Sequence, residues 1–293
     1  MIRDCYTSLV LKNIKHIVIV GPTASGKTAL SLRVAQLYNA EIIAADSRTV
    51  YIGMNVGTAK PSPAEQKLVP HYCLDIALPD NHVTVAEFAQ HAKNAQKSIN
   101  SRGLVDVTVG GSGLYVDGFT RQYIFTPHNT NLAEEYKNMN IADLQQIIIK
   151  NNLLMPENTK NKRYLLNTIS RGNAPLKQKG PLKDTLFIGI DPPKEVLKES
   201  ITMRAQQMVQ NNVEQEVKSL YKIYGAGCKA LNGGIYKTFK PYIDGQISLQ
   251  EAVDATIMSD INLSKRQRTW FKRHKDITWF IDGVQAYNWL ASQ

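Results

Sequence analysis

Lys15-His16-Ile17-Val18-Ile19-Val20 runs straight into Gly21-Pro22-Thr23-Ala24-Ser25-Gly26-Lys27-Thr28, with Ala29 to Tyr38 behind it. The first part is a β-branched run of strand length. Leu30, Val34 and Leu37 then recur at helical spacing, so the segment reads as strand, loop and helix. In that setting Gly-x-x-x-x-Gly-Lys-Thr is a P-loop, in which glycines let successive amides curl around a phosphate and a helix N-terminus adds its positive dipole. Gly21, Pro22, Thr23, Ala24, Ser25, Gly26, Lys27 and Thr28 are therefore the expected diphosphate-binding set. Lys27 supplies positive charge there, and Thr28 a hydroxyl for Mg²⁺.

Working outward, Glu41 to Ala45 reads as a second buried strand, ending in Asp46-Ser47 and expected beside the loop strand in a right-handed β-α-β unit. Thr84-Val85-Ala86-Glu87 is a capping box opening a helix whose Val85, Phe88, Ala89, Ala92 and Ile99 share a face. Leu104 to Val109 is another strand, followed at once by Gly110-Gly111-Ser112-Gly113. Leu186 to Ile190, closed by Asp191-Pro192-Pro193, reads as the last core strand, since proline cannot continue a central ladder. Between these, Asn and Lys become frequent and strand signals stop; from Lys194 the pattern is helical almost throughout. The expected fold is α/β: a P-loop NTPase-like parallel sheet core over residues 1–120, a small helical inserted lobe over 121–183, and a return to the core with a helical C-terminal region over 184–293.

Composition narrows the function. The 293 residues are 43% hydrophobic and 20% charged, which excludes a disordered chain and a disulfide-stapled miniprotein. Apolar runs are strand-sized, so no membrane-spanning helix is expected, and Met1 to Lys12 does not read as a signal peptide. Cys5, Cys73 and Cys228 form no C-x-x-C pair, which points to reduced thiols and a cytoplasmic location. The histidines lack zinc-site spacing. A net charge of +10 calls for a polyanionic partner or serves solubility. Part of it gathers in Lys265, Arg266, Arg268, Lys272, Arg273 and Lys275, interleaved with Trp270 and Phe271: a stretch suited to tracking phosphates and stacking on bases, or a solvated helix face.

Three residues stand out for chemistry. Asp46, at a strand's carboxyl end, is placed to act as a general base, as a Mg²⁺ ligand, or as a plain cap. Ser112 ends another strand between glycines that allow close approach of a substrate. Arg204 shares the apolar face of its helix with Ile201 and Met208, where a guanidinium either meets an anion or snorkels.

Taken together, the P-loop octet, Ala45-Asp46-Ser47-Arg48-Thr49-Val50-Tyr51 with Met54 and Gly57-Thr58-Ala59-Lys60-Pro61, Gly110-Gly111-Ser112-Gly113-Leu114-Tyr115, Arg204 to Met208, and Lys265-Arg266-Gln267-Arg268-Thr269-Trp270-Phe271 closely resemble the tRNA dimethylallyltransferases. The likeness covers His16 to Gly118 and, more loosely, Leu186 to Phe271. It implies transfer of a dimethylallyl group from dimethylallyl diphosphate to the exocyclic amine of the adenine 3′ of the anticodon. It implies Mg²⁺ as cofactor, the tRNA anticodon stem-loop as partner and a monomeric enzyme. On this resemblance Asp46, Ser112, Arg204 and Lys27 are catalytic, and Asp46, Ser47, Arg48, Thr49, Ser112, Lys162, Arg163, Lys265, Arg266 and Arg268 meet the tRNA. Ser112 stands where the family usually has threonine, and Asp260, Ile261, Asn262, Leu263 and Ser264 replace a common Thr-Arg-x-Tyr-Ala. An adenylate isopentenyltransferase, a P-loop nucleotide or small-molecule kinase, and a tRNA-binding protein without catalysis, suggested by the missing Thr-Arg pair, are the alternative readings.

Overall fold

The computed structural model describes residues 14–125, 130–156, 158–172 and 177–293, so Cys5 and the stretch Met1 to Lys12 lie outside the described residues. The chain divides into two compact units, Gln122–Gly180 and the remainder. In the larger unit, β1 (His16–Val20) leads through the P-loop into α1 (Lys27–Leu37), and β2 (Ala40–Ala44) follows. Next come α2 (Pro63–Leu68), β3 (His71–Tyr72), α3 (Val85–Ser101), β4 (Val105–Gly110) and α4 (Gly113–Thr120). The smaller unit holds β5 (Tyr123–Ile124), α5 (Thr130–Glu135), α6 (Ile141–Lys150), α7 (Lys162–Arg171) and β6 (Lys177–Gln178). The chain then returns as β7 (Thr185–Ile190), α8 (Lys194–Gln210), α9 (Val213–Tyr224), α10 (Gly234–Ile243), α11 (Leu249–Phe271), β8 (Ile277–Phe280) and α12 (Gly283–Ala291).

The main sheet is parallel throughout, in the order β3-β2-β4-β1-β7-β8. Helices on both faces bury β1 and β2 along their whole length, which is why these strands read as unbroken apolar runs. Ile17, Ile19, Leu30, Val34, Ile42, Val107, Ile188 and Leu290 form the core, each such side chain stabilising the fold by roughly 1.5–3 kcal/mol. In the smaller unit, Leu144 and Ile148 of α6 meet Leu165 and Ile169 of α7 at one-turn spacing.

Two expectations are corrected. β2 is not beside β1: β4 lies between them, Val107 pairing with Ile17 on one side and Ile42 on the other. A crossover helix lies on the sheet face rather than in its plane, so the connection can step over a strand position that a later strand fills. Nor is Leu186 to Ile190 the last core strand, because β8 pairs with β7 at the sheet edge. Its four residues are too short for a periodic signal.

The topology brings the carboxyl ends of β1, β2, β4 and β7 to one rim, the edge where open parallel sheets place ligands. The P-loop, Asp46, Ser112 and Asp191 all follow strand ends there. Helix α11, opened by a Ser248–Glu251 capping box and 23 residues long, presents Asp260, Ser264, Gln267 and Phe271 as a buried stripe.

Candidate active site

The P-loop is closed by hydrogen bonds among its own residues. Gly26 takes φ 84° at the N-cap of α1, a left-handed conformation that favours glycine, and the Ser25 amide donates to the Pro22 carbonyl at 3.3 Å. Lys27 folds back over the loop, its Nζ donating to the Pro22 carbonyl at 2.5 Å and to Ser25 Oγ at 3.5 Å. Arg204 of α8 reaches the same loop, Nη1 donating to Thr23 Oγ1 at 2.7 Å, so its guanidinium is tied to the P-loop rather than snorkelling. Burial and the Arg204 charge bring the Lys27 pKa down to about 7, against an opposing pull from the Asp46 carboxylate. Two cations forced together out of water are most readily relieved by an anion between them.

The loop is braced by Gln267, a residue that sequence reasoning does not single out as part of the site. The Thr23 amide donates to Gln267 Oε1 at 2.7 Å, and Gln267 Nε2 donates to the Gly111 carbonyl at 3.0 Å. One buried amide thus joins the turn after β1 to the turn after β4. Its signal was available: Gln267 falls on the stripe Asp260, Ser264, Gln267, Phe271 at i, i+4, i+7, i+11, and is the uncharged member of a basic run.

On the neighbouring strand ends, Asp46 Oδ1 accepts from the Arg48 amide at 2.8 Å and the Thr49 amide at 3.4 Å, an Asx turn that orients the carboxylate. Ser112 Oγ accepts from the Ser47 amide at 2.9 Å and donates to Ser47 Oγ at 3.2 Å, so the two strand ends are hydroxyl-bridged. Gly110 permits this closeness: a Cβ there would sit 2.0 Å from the Ala45 carbonyl oxygen. The segment beyond Asp46 is held by Glu216 of α9, which accepts from the amides of Asn55, Val56 and Gly57 at 2.9, 2.8 and 2.9 Å and from Tyr236 Oη at 2.7 Å. A cleft of about 460 Å³ opens here, with Val56, Lys60, Arg204, Gln207 and Met208 in its wall.

A family model described as IPP transferase matches residues 49–274. The chain belongs to the IPP transferase family. It is 34% identical to the tRNA dimethylallyltransferase of Bacillus pumilus over 90% of this chain and 88% of the relative. It is 33% identical to that of Streptococcus uberis over 94% and 93%. Among solved structures, the tRNA isopentenylpyrophosphate transferase of Bacillus halodurans superposes with TM-score 0.72 at 30% identity, covering 95% of this chain and 96% of that one. A eukaryotic dimethylallyltransferase acting on tRNA shares the fold at TM-score 0.78 and 22% identity, over 96% and 77%.

For this member of the IPP transferase family, the remaining candidate residues fall into distinct places. Lys265 and Arg266 are exposed on α11, as are Lys272, Arg273 and Lys275 just beyond it. Arg268 instead turns inward, Nε meeting Asp191 Oδ1 at 2.5 Å and Nη2 donating to the Pro192 carbonyl. Arg48 donates to the Ala230 carbonyl, and Thr49 is buried. Lys162 and Arg163 open α7 in the smaller unit, Arg163 exposed and its guanidinium 5.9 Å from the Tyr164 ring centre. Base stacking by Trp270 and Phe271 is corrected. Phe271 is 1% exposed, and Trp270 donates to buried Asp117 at 2.8 Å while Arg273 covers its ring at 3.7 Å. The buried Asp117 carboxylate is why: it also meets His274 at 2.9 Å and Arg121 at 3.4 Å, drawing the end of α11 onto α4. Among the described residues, no helix is long and apolar enough to cross a membrane. Cys73 and Cys228 are buried free thiols, Cys73 with its pKa raised by burial to about 12 and therefore inert.

Proposed function

We propose that the chain transfers the dimethylallyl group of dimethylallyl diphosphate to the N6 amine of the adenine 3′ of the anticodon in tRNA, releasing diphosphate. The observation that carries this reading is the convergence of Lys27 and Arg204 on the P-loop with the oriented Asp46 carboxylate on the same rim. The family membership supports it, because relatives of closely similar length carry the name tRNA dimethylallyltransferase.

The reaction forms a bond between N6 and the allylic carbon and breaks the bond from that carbon to the diphosphate oxygen. Adenine N6 is a weak nucleophile because its lone pair is delocalised into the ring. Asp46, the candidate base, takes the proton that N6 must lose as the new bond forms. Its Oδ1 is occupied by two amides, which leaves Oδ2 for that proton. Negative charge gathering on the departing diphosphate is met by the P-loop amides, Lys27 and Arg204, the two side chains exchanging their contacts with Pro22, Ser25 and Thr23 for phosphate oxygens. Ser112, hydrogen-bonded to Ser47 beside Asp46, contributes a hydroxyl next to the reacting amine. The base leaves its stack to enter, which a single-stranded anticodon loop allows at small cost. Exposed Lys265, Arg266, Lys272, Arg273 and Lys275 supply a positive face for tRNA phosphates.

Mg²⁺ fits this donor set. Thr28 offers a hydroxyl oxygen directly after Lys27 in the first turn of α1, and Mg²⁺ is ordinarily held by few protein ligands together with substrate phosphates. Thr28, exposed in the first turn of α1, would hold it, and the ion would neutralise charge on the leaving diphosphate. The enzyme acts as a monomer in the cytoplasm in this reading.

Incubation with dimethylallyl diphosphate labelled in the allyl group, Mg²⁺ and unmodified tRNA tests the proposal. Label is expected in the RNA; label absent from RNA but appearing in free AMP, ADP or ATP when these replace tRNA, or ATP consumed without any prenyl donor, refutes it.

A further inference from the structure

The stripe of α11 that delivers Gln267 to the P-loop delivers a carboxylate two turns earlier. Asp260 is 8% exposed, and its Oδ2 lies 3.5 Å from Arg204 Nη2. Arg204 is therefore held from two sides, by Asp260 through Nη2 and by Thr23 through Nη1 at 2.7 Å, while its buried Nε has no hydrogen-bond partner. We propose that Asp260 is a positioning residue, an internal counter-anion that steers Arg204 onto the P-loop and weakens the cradle's hold on diphosphate. The inference rests on the donor reading above.

Two features support it. The contact is single and long, whereas strong guanidinium–carboxylate pairs are bidentate at about 2.7–2.9 Å, so diphosphate oxygens compete for Arg204 successfully. The carboxylate is buried and near Asp46 as well as Arg204; burial and the Asp46 charge raise its pKa, against the pull of Arg204. The carboxylate is thus not fully compensated by its one cation. A diphosphate entering beside Arg204 brings more negative charge into the same poorly screened space, and the two anions repel. The repulsion acts on the free pyrophosphate product as well, and so favours its release once the bond to the allylic carbon has broken.

The test is binding of inorganic pyrophosphate, with Mg²⁺, to the full chain by calorimetry. Asp260→Asn keeps size and an acceptor for Arg204 but removes the charge, and is expected to bind pyrophosphate about five- to tenfold more tightly than wild type. Asp260→Thr, a second neutral variant, carries the same expectation should the first fail to fold, and Asp260→Glu should return affinity to the wild-type value. In an Arg204→Gln background the gain from Asp260→Asn should shrink, since the pair acts together. With tRNA, the neutral variants should lower KM for the donor without raising kcat. A purely structural role would loosen the site, so equal or weaker pyrophosphate binding in a folded neutral variant overturns the inference while leaving the donor reading intact. Wild-type protein that binds no pyrophosphate overturns both.

Discussion

Replacing Gln267 by leucine removes a bridge whose worth can be worked from its surroundings. Gln267, Thr23 and Gly111 are all buried, and leucine fills the space while offering neither donor nor acceptor. The Thr23 amide, 2.7 Å from its acceptor, and the Gly111 carbonyl, 3.0 Å from its donor, would both be left unsatisfied away from water. Each orphaned group costs about 1–3 kcal/mol, so the substitution should destabilise the larger unit by about 2–6 kcal/mol. That is a large part of the total for a domain whose stability is typically about 5–15 kcal/mol. Urea unfolding followed by tryptophan fluorescence measures the loss, and pyrophosphate calorimetry at a temperature where the variant is folded measures the effect on the loop. Because Thr23 also holds Arg204, affinity for pyrophosphate should fall together with stability. A variant within 0.5 kcal/mol of wild type, roughly the scatter of neutral surface changes, and with unchanged pyrophosphate affinity would refute the assignment of this bridge as the brace of the site.

Three further outcomes are expected. Asp46→Asn keeps size but not basicity, so pyrophosphate affinity should hold while kcat falls by about 10²–10⁴; equal turnover removes Asp46 as the base. Burial and the Arg204 charge bring the Lys27 pKa down to about 7, and a bound anion must raise that value. Pyrophosphate binding at pH 8 should therefore take up close to one proton, and affinity should fall as pH rises above 7, by up to about tenfold per unit. Calorimetry in buffers of different ionisation heat reads this directly, and zero uptake, or the same uptake in Lys27→Ala, contradicts it. Gly110→Ala would put a Cβ 2.0 Å from the Ala45 carbonyl, so the β2 and β4 ends must separate and carry Asp46 away from Ser112. A cost of about 1–3 kcal/mol and a clear loss of kcat are expected, and wild-type kcat in the folded variant would show that this spacing is immaterial.

The P-loop, the Thr84 capping box, the parallel α/β class and the strand ends carrying Asp46 and Ser112 were all legible in the chain, because each rests on local chemistry: β-branched runs, 3.6-residue spacing, glycines before a Lys-Thr pair. What lay beyond local chemistry was who sits beside whom. That β4 separates β1 from β2, that Ile277–Phe280 adds an edge strand, and that Trp270 and Phe271 are spent on the core through Asp117 follow from long-range packing, which no window of neighbouring residues encodes. The same holds for Arg204, whose position allowed either an anion partner or a snorkelling side chain until Thr23 and Asp260 were found on either side of it. Sequence determines which groups a strand end or a helix face offers; only the folded chain decides which offers meet, because a meeting depends on the distance between residues far apart along the backbone.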